Sequence, residues 1–325
     1  MTCAPDVLCI GESMALFVPA EPGPPEDVRT WLRTIGGAES NVACHLPGLG
    51  VTSGWVSAVG DDPFGRAMVR DIAAAGVDVS GVAVDSARPT GLYLKESGAQ
   101  GSPVRYYRAG SAASAMGPEV LDRVDLTDVR VLHLSGITPA LSDSCLELVR
   151  ALLAAPRGGT RVSFDVNYRP ALWAGRDVSV LAELADSADI VLTGEDEAQK
   201  VWGTGDPDRL RALLPGPDTV VVKHSERGVT LAERGAEPVF SPALRVDVVE
   251  PVGAGDAFAA GFLAATLAGA DPLTRLRRGH LQAAATLLTH DDVGAPLAAS
   301  VVDSLLTADA EGWAAARLTG LGVVA

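Results

Sequence analysis

Residues 248–262 read Val-Val-Glu-Pro-Val-Gly-Ala-Gly-Asp-Ala-Phe-Ala-Ala-Gly-Phe. Gly253, Ala254 and Gly255 carry almost no side chain, and a long apolar run begins directly after them. Small residues at the start of a helix leave several backbone N–H groups pointing outward, which makes an anion site. Asp256 falls in the first turn of that helix. Read alone it is a cap accepting from helix N–H groups. Read with the small residues before it, it is a carboxylate set inside an anion site. The segment from Gly253 is not G-x-G-x-x-G, because Phe258 stands at the last position, and it comes late in the chain rather than after the first strand. No G-x-x-x-x-G-K-[ST] occurs, so a Walker-type phosphate loop is absent.

Upstream of this stretch, short apolar runs alternate with Ala/Leu-rich segments. Residues 7–10, 54–59, 129–134, 161–164, 190–192 and 219–222 read as buried strands, and 65–75, 145–154 and 178–185 as helices. That alternation predicts an α/β fold, a mainly parallel sheet covered by helices on both faces. Its ligand site belongs beyond the carboxyl ends of the strands. Two segments break the pattern. Residues 20–25 are Pro-rich and precede an apolar run at 31–35; residues 89–94 and 104–108 read as two strands joined by a turn-rich 97–102. Tyr93, Tyr106 and Tyr107, three of the chain's four tyrosines, concentrate there, which points to a small β-sheet lid formed from about 12–35 and 86–112. The whole chain, 1–325, is then one α/β domain carrying that lid.

Composition narrows the function. Lys+Arg total 26 against Asp+Glu 41 over 325 residues, a net charge of −15, which argues against a nucleic-acid partner. At 47% hydrophobic residues the chain is too apolar to be an acidic disordered segment. Its longest uncharged apolar stretch, 257–270, is short of the roughly 20 residues a membrane span needs. Asp6 and Glu12 precede the first basic residue, Arg29, so a secretory n-region is not expected, and a cytoplasmic location is. Cys3, Cys9, Cys44 and Cys145 form no C-x-x-C pair and read as reduced structural thiols. Only Lys95, Lys200 and Lys223 are lysines, a bias read as genome composition.

Gly-Ala-Gly-Asp opening a helix in the last third resembles the phosphoryl-transfer motif of the ribokinase-like (PfkB) sugar kinases. Two N-terminal runs match independently: Gly36-Gly37-Ala-Glu-Ser-Asn41-Val-Ala is similar to the family's glycine-pair sugar loop, and Val59-Gly60-Asp61-Asp62-Pro-Phe-Gly65 to its G-x-D-x-x-G segment. The resemblance covers residues 7–296. It implies a three-layer αβα sandwich with a β-lid, ATP and Mg²⁺ as co-substrate and cofactor, and Asp256 as the base beside an anion hole of Gly253, Ala254 and Gly255. Family lids often pair, so a homo-oligomer through the lid is an expected option.

Within the family, four runs resemble the 2-keto-3-deoxygluconate kinases: Thr90-Gly-Leu-Tyr93, Tyr106-Tyr-Arg108-Ala-Gly-Ser-Ala-Ala-Ser114, Leu132-His-Leu-Ser-Gly-Ile137-Thr-Pro-Ala-Leu-Ser, and Asp165-Val-Asn-Tyr-Arg169-Pro-Ala-Leu-Trp173. They imply a sugar site of Gly36, Gly37, Asn41, Tyr93, Tyr106, Arg108, Ile137, Arg169 and Asp256. Tyr106 and Arg108 alternate onto one face of a strand. Two arginines can form charge-assisted bonds to a sugar-acid carboxylate; their alternative is pairing with local acids. Competing readings are a family kinase for a neutral sugar such as fructose or ribose and, more distantly, a non-catalytic sugar-binding relative.

On the nucleotide side, Val220-Val-Val-Lys223 followed by Ser225-Glu-Arg-Gly228 resembles the strand and glycine turn near the ATP phosphates, giving Lys223, Ser225, Gly228, Gly253, Gly255 and His280 as ATP-site candidates. His280 and the run His290-Asp-Asp-Val-Gly294-Ala-Pro296 are expected near the adenine. Gly194-Glu-Asp-Glu197 replaces the family's Asn-x-x-Glu, leaving Glu197 as an indirect contributor to the magnesium site. Many relatives carry Asp where this chain has Glu250, and that Asp often helps hold a monovalent cation beside the anion loop. The longer Glu shifts or abolishes such a site.

Overall fold

Strand Val7–Ile10 shows why the sheet needs two covering layers: all four residues are buried, with Val7 and Cys9 in one apolar cluster and Leu8 and Ile10 in the other. The computed structural model describes residues 4–21, 23–95, 104–319 and the backbone of 322–324. Its central sheet has eight strands in the order Val239–Pro242, Gly228–Glu233, Thr219–Lys223, Ile190–Gly194, Arg161–Asp165, Val131–Ser135, Val7–Ile10, Ser53–Val56. The six from Thr219–Lys223 onward are parallel, and the first two pair antiparallel at one edge. Helices Ala38–His45, Pro63–Ala74, Ala254–Leu267 and Pro272–Leu287 cover one face, through residues such as Val42, Met68, Phe262 and Leu276. Asp143–Ala154 and Val180–Asp186 cover the other, through Leu148, Leu152 and Leu184. The mainly parallel α/β sandwich expected from the alternation is the one observed.

Helix starts differ from the periodicity reading because caps, not apolar spacing, set them. Asp62 accepts from the N–H groups of Phe64 and Gly65 at 2.9 and 2.8 Å, and Pro63 occupies the first helical position, so the helix begins before residue 65. Ser142 does the same for Asp143–Ala154 by accepting from Cys145 at 3.1 Å. The strand expected over 54–59 is two. Ser53–Val56 stays in the main sheet, while Ala58–Gly60 leaves it and pairs in parallel with Ala83–Asp85.

A separate four-stranded sheet has the order Trp31–Gly36, Met14–Pro19, Leu92–Lys95, Val104–Tyr107. Both stretches that broke the βα alternation lie in it, and Tyr93 pairs across the hairpin with Tyr106. Pro89 and Thr90 lie before the strand rather than in it, where the Thr90 N–H donates to Asp62 at 2.8 Å. The turn expected at 97–102 falls outside the described residues. A further, three-stranded sheet, Arg245–Val246 with Arg317–Thr319 and Gly322–Val324, was not legible from the sequence. Cys9, Cys44 and Cys145 are free and buried; Cys3 lies outside the described residues. Among the described residues no helix is long and apolar enough to cross a membrane.

Candidate active site

The parallel strands deliver polar side chains to one end of the sheet. Ser135, Asp165, Gly194 and Lys223 are the last residues of four neighbouring strands, Asp165 level with Ser135 and Gly194 with Lys223. Opposite them lies the start of helix Ala254–Leu267. Its N-cap, Gly253, has φ 85° and ψ −15°, a left-handed conformation that suits glycine. A Cβ there would lie 2.5 Å from the backbone carbonyl oxygen of Asp292. Both the turn and the close approach demand glycine. Ala257 makes the first helical bond, to Gly253 at 2.9 Å, and the Ala254 N–H makes only a 3.4 Å contact with Pro251. The first turn therefore faces the site with its weakly engaged donors and the positive end of the helix dipole.

Asp256 stands at this turn, partly open to the cavity. Asn41 Nδ2 donates to its Oδ2 at 2.8 Å, while Asn41 Oδ1 accepts from the Gly37 N–H at 3.4 Å. The glycine-pair loop thus orients the carboxylate through one side chain. Burial raises the Asp256 pKa to about 8, helped by the charge of Asp165 and opposed by the Asn41 hydrogen bond and by Arg169 and Lys223. A carboxylate held in that range is unusual, which makes Asp256 a candidate for proton transfer.

A narrow cavity of about 90 Å³ runs from Asp256 to the small sheet. Of the sequence-derived sugar residues, Gly36, Gly37, Asn41, Tyr93, Tyr106, Arg108, Ile137, Arg169 and Asp256 all line it. The glycine pair is small because its surroundings are full: a Cβ on Gly36 would meet the Tyr93 hydroxyl, and one on Gly37 would lie 2.3 Å from the Glu12 carbonyl. Glu39 ties this loop to the sheet, accepting from Ser135 at 2.8 Å and Thr138 at 2.7 Å.

The two arginines differ in kind. Arg108 is buried at the end of the lid hairpin, donating from Nε to Glu12 Oε2 at 2.7 Å, with its Nη2 against the same oxygen. Ser111 donates to the other Glu12 oxygen at 2.6 Å. The structure therefore realises local pairing for Arg108 while keeping it in the cavity wall, its guanidinium over the Tyr106 ring. Arg169 is half exposed and donates to Glu197 Oε1 at 3.1 Å, so it too is paired with a local acid.

Four residues to which the sequence reading gave no role belong here. Glu12 sets Arg108. Asp292, from the run 290–296 expected beside the adenine, lines this narrow cavity and accepts from the Tyr93 hydroxyl at 3.1 Å. Asn167 has φ 38°, a conformation Asn tolerates better than most residues, and presents a buried Oδ1 that has no partner within the protein. Asp165 accepts from Lys223 Nζ at 2.9 Å. The signal that could have found Glu12 is its charge inside an otherwise small or apolar run; Asp292, next to Asp291 and His290, carries no such signal.

A second, wider cavity of about 760 Å³ opens on the other side of the Gly253–Asp256 turn, within the range of small-molecule sites. Lys223, Ser225, Gly255 and His280 line it, with Ala254, Val246, Val248, Leu287 and Arg317. Lys223 holds its proton more firmly than usual: burial works against the charge, but Asp165, Glu197 and Asp256 outweigh it. His280 lies 3.2 Å from the Ser241 carbonyl and packs edge-on against Phe258; burial lowers its pKa to about 4, so it is a neutral wall residue. Gly228 does not reach this cavity. It sits at φ 139° with the Ser241 carbonyl 2.3 Å from where a Cβ would be, so close strand packing requires it. His290 is exposed and outside both linings. Gly253 itself underlies the turn rather than lining either cavity.

Magnesium was the expected cofactor, and the donor set fits a metal carried mainly by a polyphosphate. Among the described residues no three His, Cys, Asp or Glu side chains gather into a metal cage. Mg²⁺ commonly takes one or two protein carboxylates and completes its shell with phosphate and water. Asp165 is buried, its Oδ2 accepting from the Lys223 ammonium at 2.9 Å and its Oδ1 from the Asn167 N–H at 3.3 Å, so a metal there would share its oxygens with those donors. Glu197 has both oxygens engaged, one by the Gly194 N–H at 3.0 Å and one by Arg169, so its part is to hold those groups.

Comparison with known proteins agrees with this geometry. The family model described as pfkB family carbohydrate kinase matches residues 4–297. The chain is 36% identical over 283 residues to a 2-dehydro-3-deoxygluconokinase of Bacillus subtilis, covering 85% of this chain and 87% of that protein. It superposes on the crystal structure of a 2-dehydro-3-deoxygluconokinase of Thermotoga maritima with TM-score 0.83 and 26% identity, covering 93% of this chain and 99% of that one. A sugar kinase of Pyrococcus horikoshii in complex with ATP superposes with TM-score 0.79 and 26% identity, covering 94% and 99%.

Proposed function

Because the chain belongs to the pfkB family of carbohydrate kinases, we propose that it transfers the γ-phosphoryl group of ATP to the 6-hydroxyl of 2-keto-3-deoxygluconate. The carrying observation is the joint lining of one narrow cavity by a high-pKa carboxylate, Asp256, and two arginines, Arg108 and Arg169. Both guanidinium groups pair with a local acid, Arg108 with Glu12 and Arg169 with Glu197. A sugar-acid carboxylate is a further anion to which such groups form charge-assisted hydrogen bonds.

The acceptor binds in the narrow cavity and ATP in the wide one, so that the Gly253–Asp256 turn stands between them. Asp256 accepts the proton of the attacking hydroxyl. N–H groups of the turn, with the helix dipole, stabilise charge on the transferring group, each donor being worth about 3–4 kcal/mol in comparable sites. Lys223 and Asp165 mark the phosphate end of the wide cavity. Asp165, beside Lys223, would hold Mg²⁺ brought in with ATP, which would supply charge neutralisation at the phosphates. The four-stranded sheet is the lid: it carries Tyr93, Tyr106 and Arg108 over the acceptor and excludes water as a competing nucleophile.

Two outcomes test this reading. The product of the reaction with 2-keto-3-deoxygluconate should be a monoester whose phosphorus couples to the C6 protons in NMR; an ester at another carbon, or no ester, contradicts it. Arg169→Ala removes a half-exposed charge with little structural consequence. It should raise KM for the sugar acid about 10- to 100-fold, as expected for loss of a charged hydrogen bond, and leave KM for any neutral ketose unchanged. Equal effects on both remove the carboxylate argument.

The pH dependence follows from Asp256. Only the deprotonated form accepts a proton, and the free enzyme loses that proton as pH rises through about 8. Log kcat/KM should therefore climb with slope near one below that value and level above it. A profile already flat on the acid side of neutrality would show that Asp256 does not limit the reaction.

A further inference from the structure

Lys95 ends the described part of lid strand Leu92–Lys95, yet its ammonium is buried against the anion loop rather than in solvent. Its Nζ donates to Asp292 Oδ1 at 2.8 Å and lies 3.8 Å from Glu250 Oε2. Lys95 and Asp292 are 3% and 2% exposed, so the pair is shielded from bulk solvent. Two residues earlier on the same strand face, Tyr93 donates to the other Asp292 oxygen. Glu250 spends its remaining oxygen on the Val252 N–H at 3.1 Å, inside the loop that leads to Gly253. The backbone of Asp292 in turn packs where a Gly253 side chain would be. Lid strand, anion loop and the 290–294 segment thus meet at one charge cluster.

A monovalent cation bound by Glu250 does not fit this cluster. Its carboxylate is shared between a backbone N–H and a lysine, and the second carboxylate within reach, Asp292, has both oxygens taken. The positive charge that such an ion would contribute is already present. We propose that Lys95 is the built-in cation of the anion loop, an ammonium tethered to the lid that replaces a free monovalent ion and makes turnover independent of potassium. It neutralises Asp292 and Glu250 beside the turn that must receive phosphate charge. Because it travels on the lid strand, the charge is in place when the lid lies over the acceptor. Lys95 does not reach the acceptor cavity and acts through Asp292 and the loop; it is a positioning residue.

The inference rests on the kinase reading for its activity measurement only. At constant ionic strength, with tetramethylammonium as the replacement ion, wild-type kcat should vary by less than about twofold as potassium is raised, and potassium should give no specific rise in Tm. Activation by about fivefold or more, or a potassium-specific gain in Tm, overturns the proposal whichever sugar is the substrate. Lys95→Ala should lose about tenfold or more in kcat and recover much of it with potassium, ammonium or methylammonium. A general packing defect cannot be repaired by a small cation. A Lys95→Ala variant with full activity and no cation response also overturns it. If that variant does not fold, the wild-type potassium titration and thermal shift decide alone.

Discussion

Asp256→Asn should lower kcat by about 10²- to 10⁴-fold, the usual range for a lost general base, with KM for ATP and for the sugar acid close to wild type. The substitution is nearly isosteric, and the new amide can still present its oxygen to Asn41 Nδ2, the partner that orients Asp256 at 2.8 Å. What disappears is the ability to take a proton. Losing a group raised to about 8 also removes the slope in the pH profile, so the variant's residual rate should show no break near that value. Steady-state kinetics with both substrates varied checks this. A rate within a few-fold of wild type would leave Asp256 as no more than a helix cap, the alternative that its position in the first turn always offered.

Gly253→Ala should be nearly as damaging by a different route. The backbone at φ 85° disfavours any Cβ, by about 1 kcal/mol. Steric exclusion is the larger effect. The new methyl would fall 2.5 Å from the Asp292 carbonyl oxygen and 2.9 Å from its Cα, which are backbone atoms that cannot swing aside. Either the turn or the 290–294 segment must shift. A displacement of about 1 Å in a group aligned for in-line transfer commonly costs on the order of 10²-fold in rate. We expect kcat/KM to fall by about that factor or more, with Tm lowered by several degrees, about 2–4 °C per kcal/mol in a chain of this size. Gly255→Ala is the control. The nearest atom to its Cβ is the flexible end of Lys223 at 3.7 Å. That variant should keep wild-type Tm; because Gly255 lines the ATP cavity, its activity is not the control, its stability is. Equal losses of Tm in the two would mean that flexibility of the turn, rather than its fit against Asp292, is what matters.

The sandwich was legible because its strands are continuous apolar runs and its helices are Ala/Leu-rich, a contrast that survives without tertiary information. The helix starts capped by Asp62 and Ser142 were each missed by two residues because capping polar residues lie outside the apolar periodicity. The strand Arg317–Thr319 has no pattern of its own; it exists only because Arg245–Val246 offers an edge. In the site, the residues quoted in motifs came together in one cavity, since a motif is a local arrangement that the backbone preserves. Arg108 shows the limit. Its place was readable from strand alternation, but its partner Glu12, ninety-six positions away, was not. Asp292 and Lys95 were hidden in the same way. Lysine scarcity, read as composition, carried information after all: of the three lysines, Lys95 and Lys223 hold buried ion pairs at the anion loop and the phosphate end. Gly228 was placed on the nucleotide by resemblance, and its packing explains it better, while His280 does line the wide cavity as a neutral wall residue.

The chain's net charge of −15 is unfavourable for two anionic substrates, so binding must come from local groups: Arg108, Arg169, Lys223 and the N-terminus of helix Ala254–Leu267. The claim that these groups serve a sugar acid is tested most directly by ADP release from the wild-type enzyme with 2-keto-3-deoxygluconate, fructose and ribose at matched concentrations. Loss of a charged contact pair corresponds to about 10²-fold in kcat/KM, and at least that preference for the keto acid is predicted. A neutral sugar phosphorylated as efficiently as the acid would contradict the account.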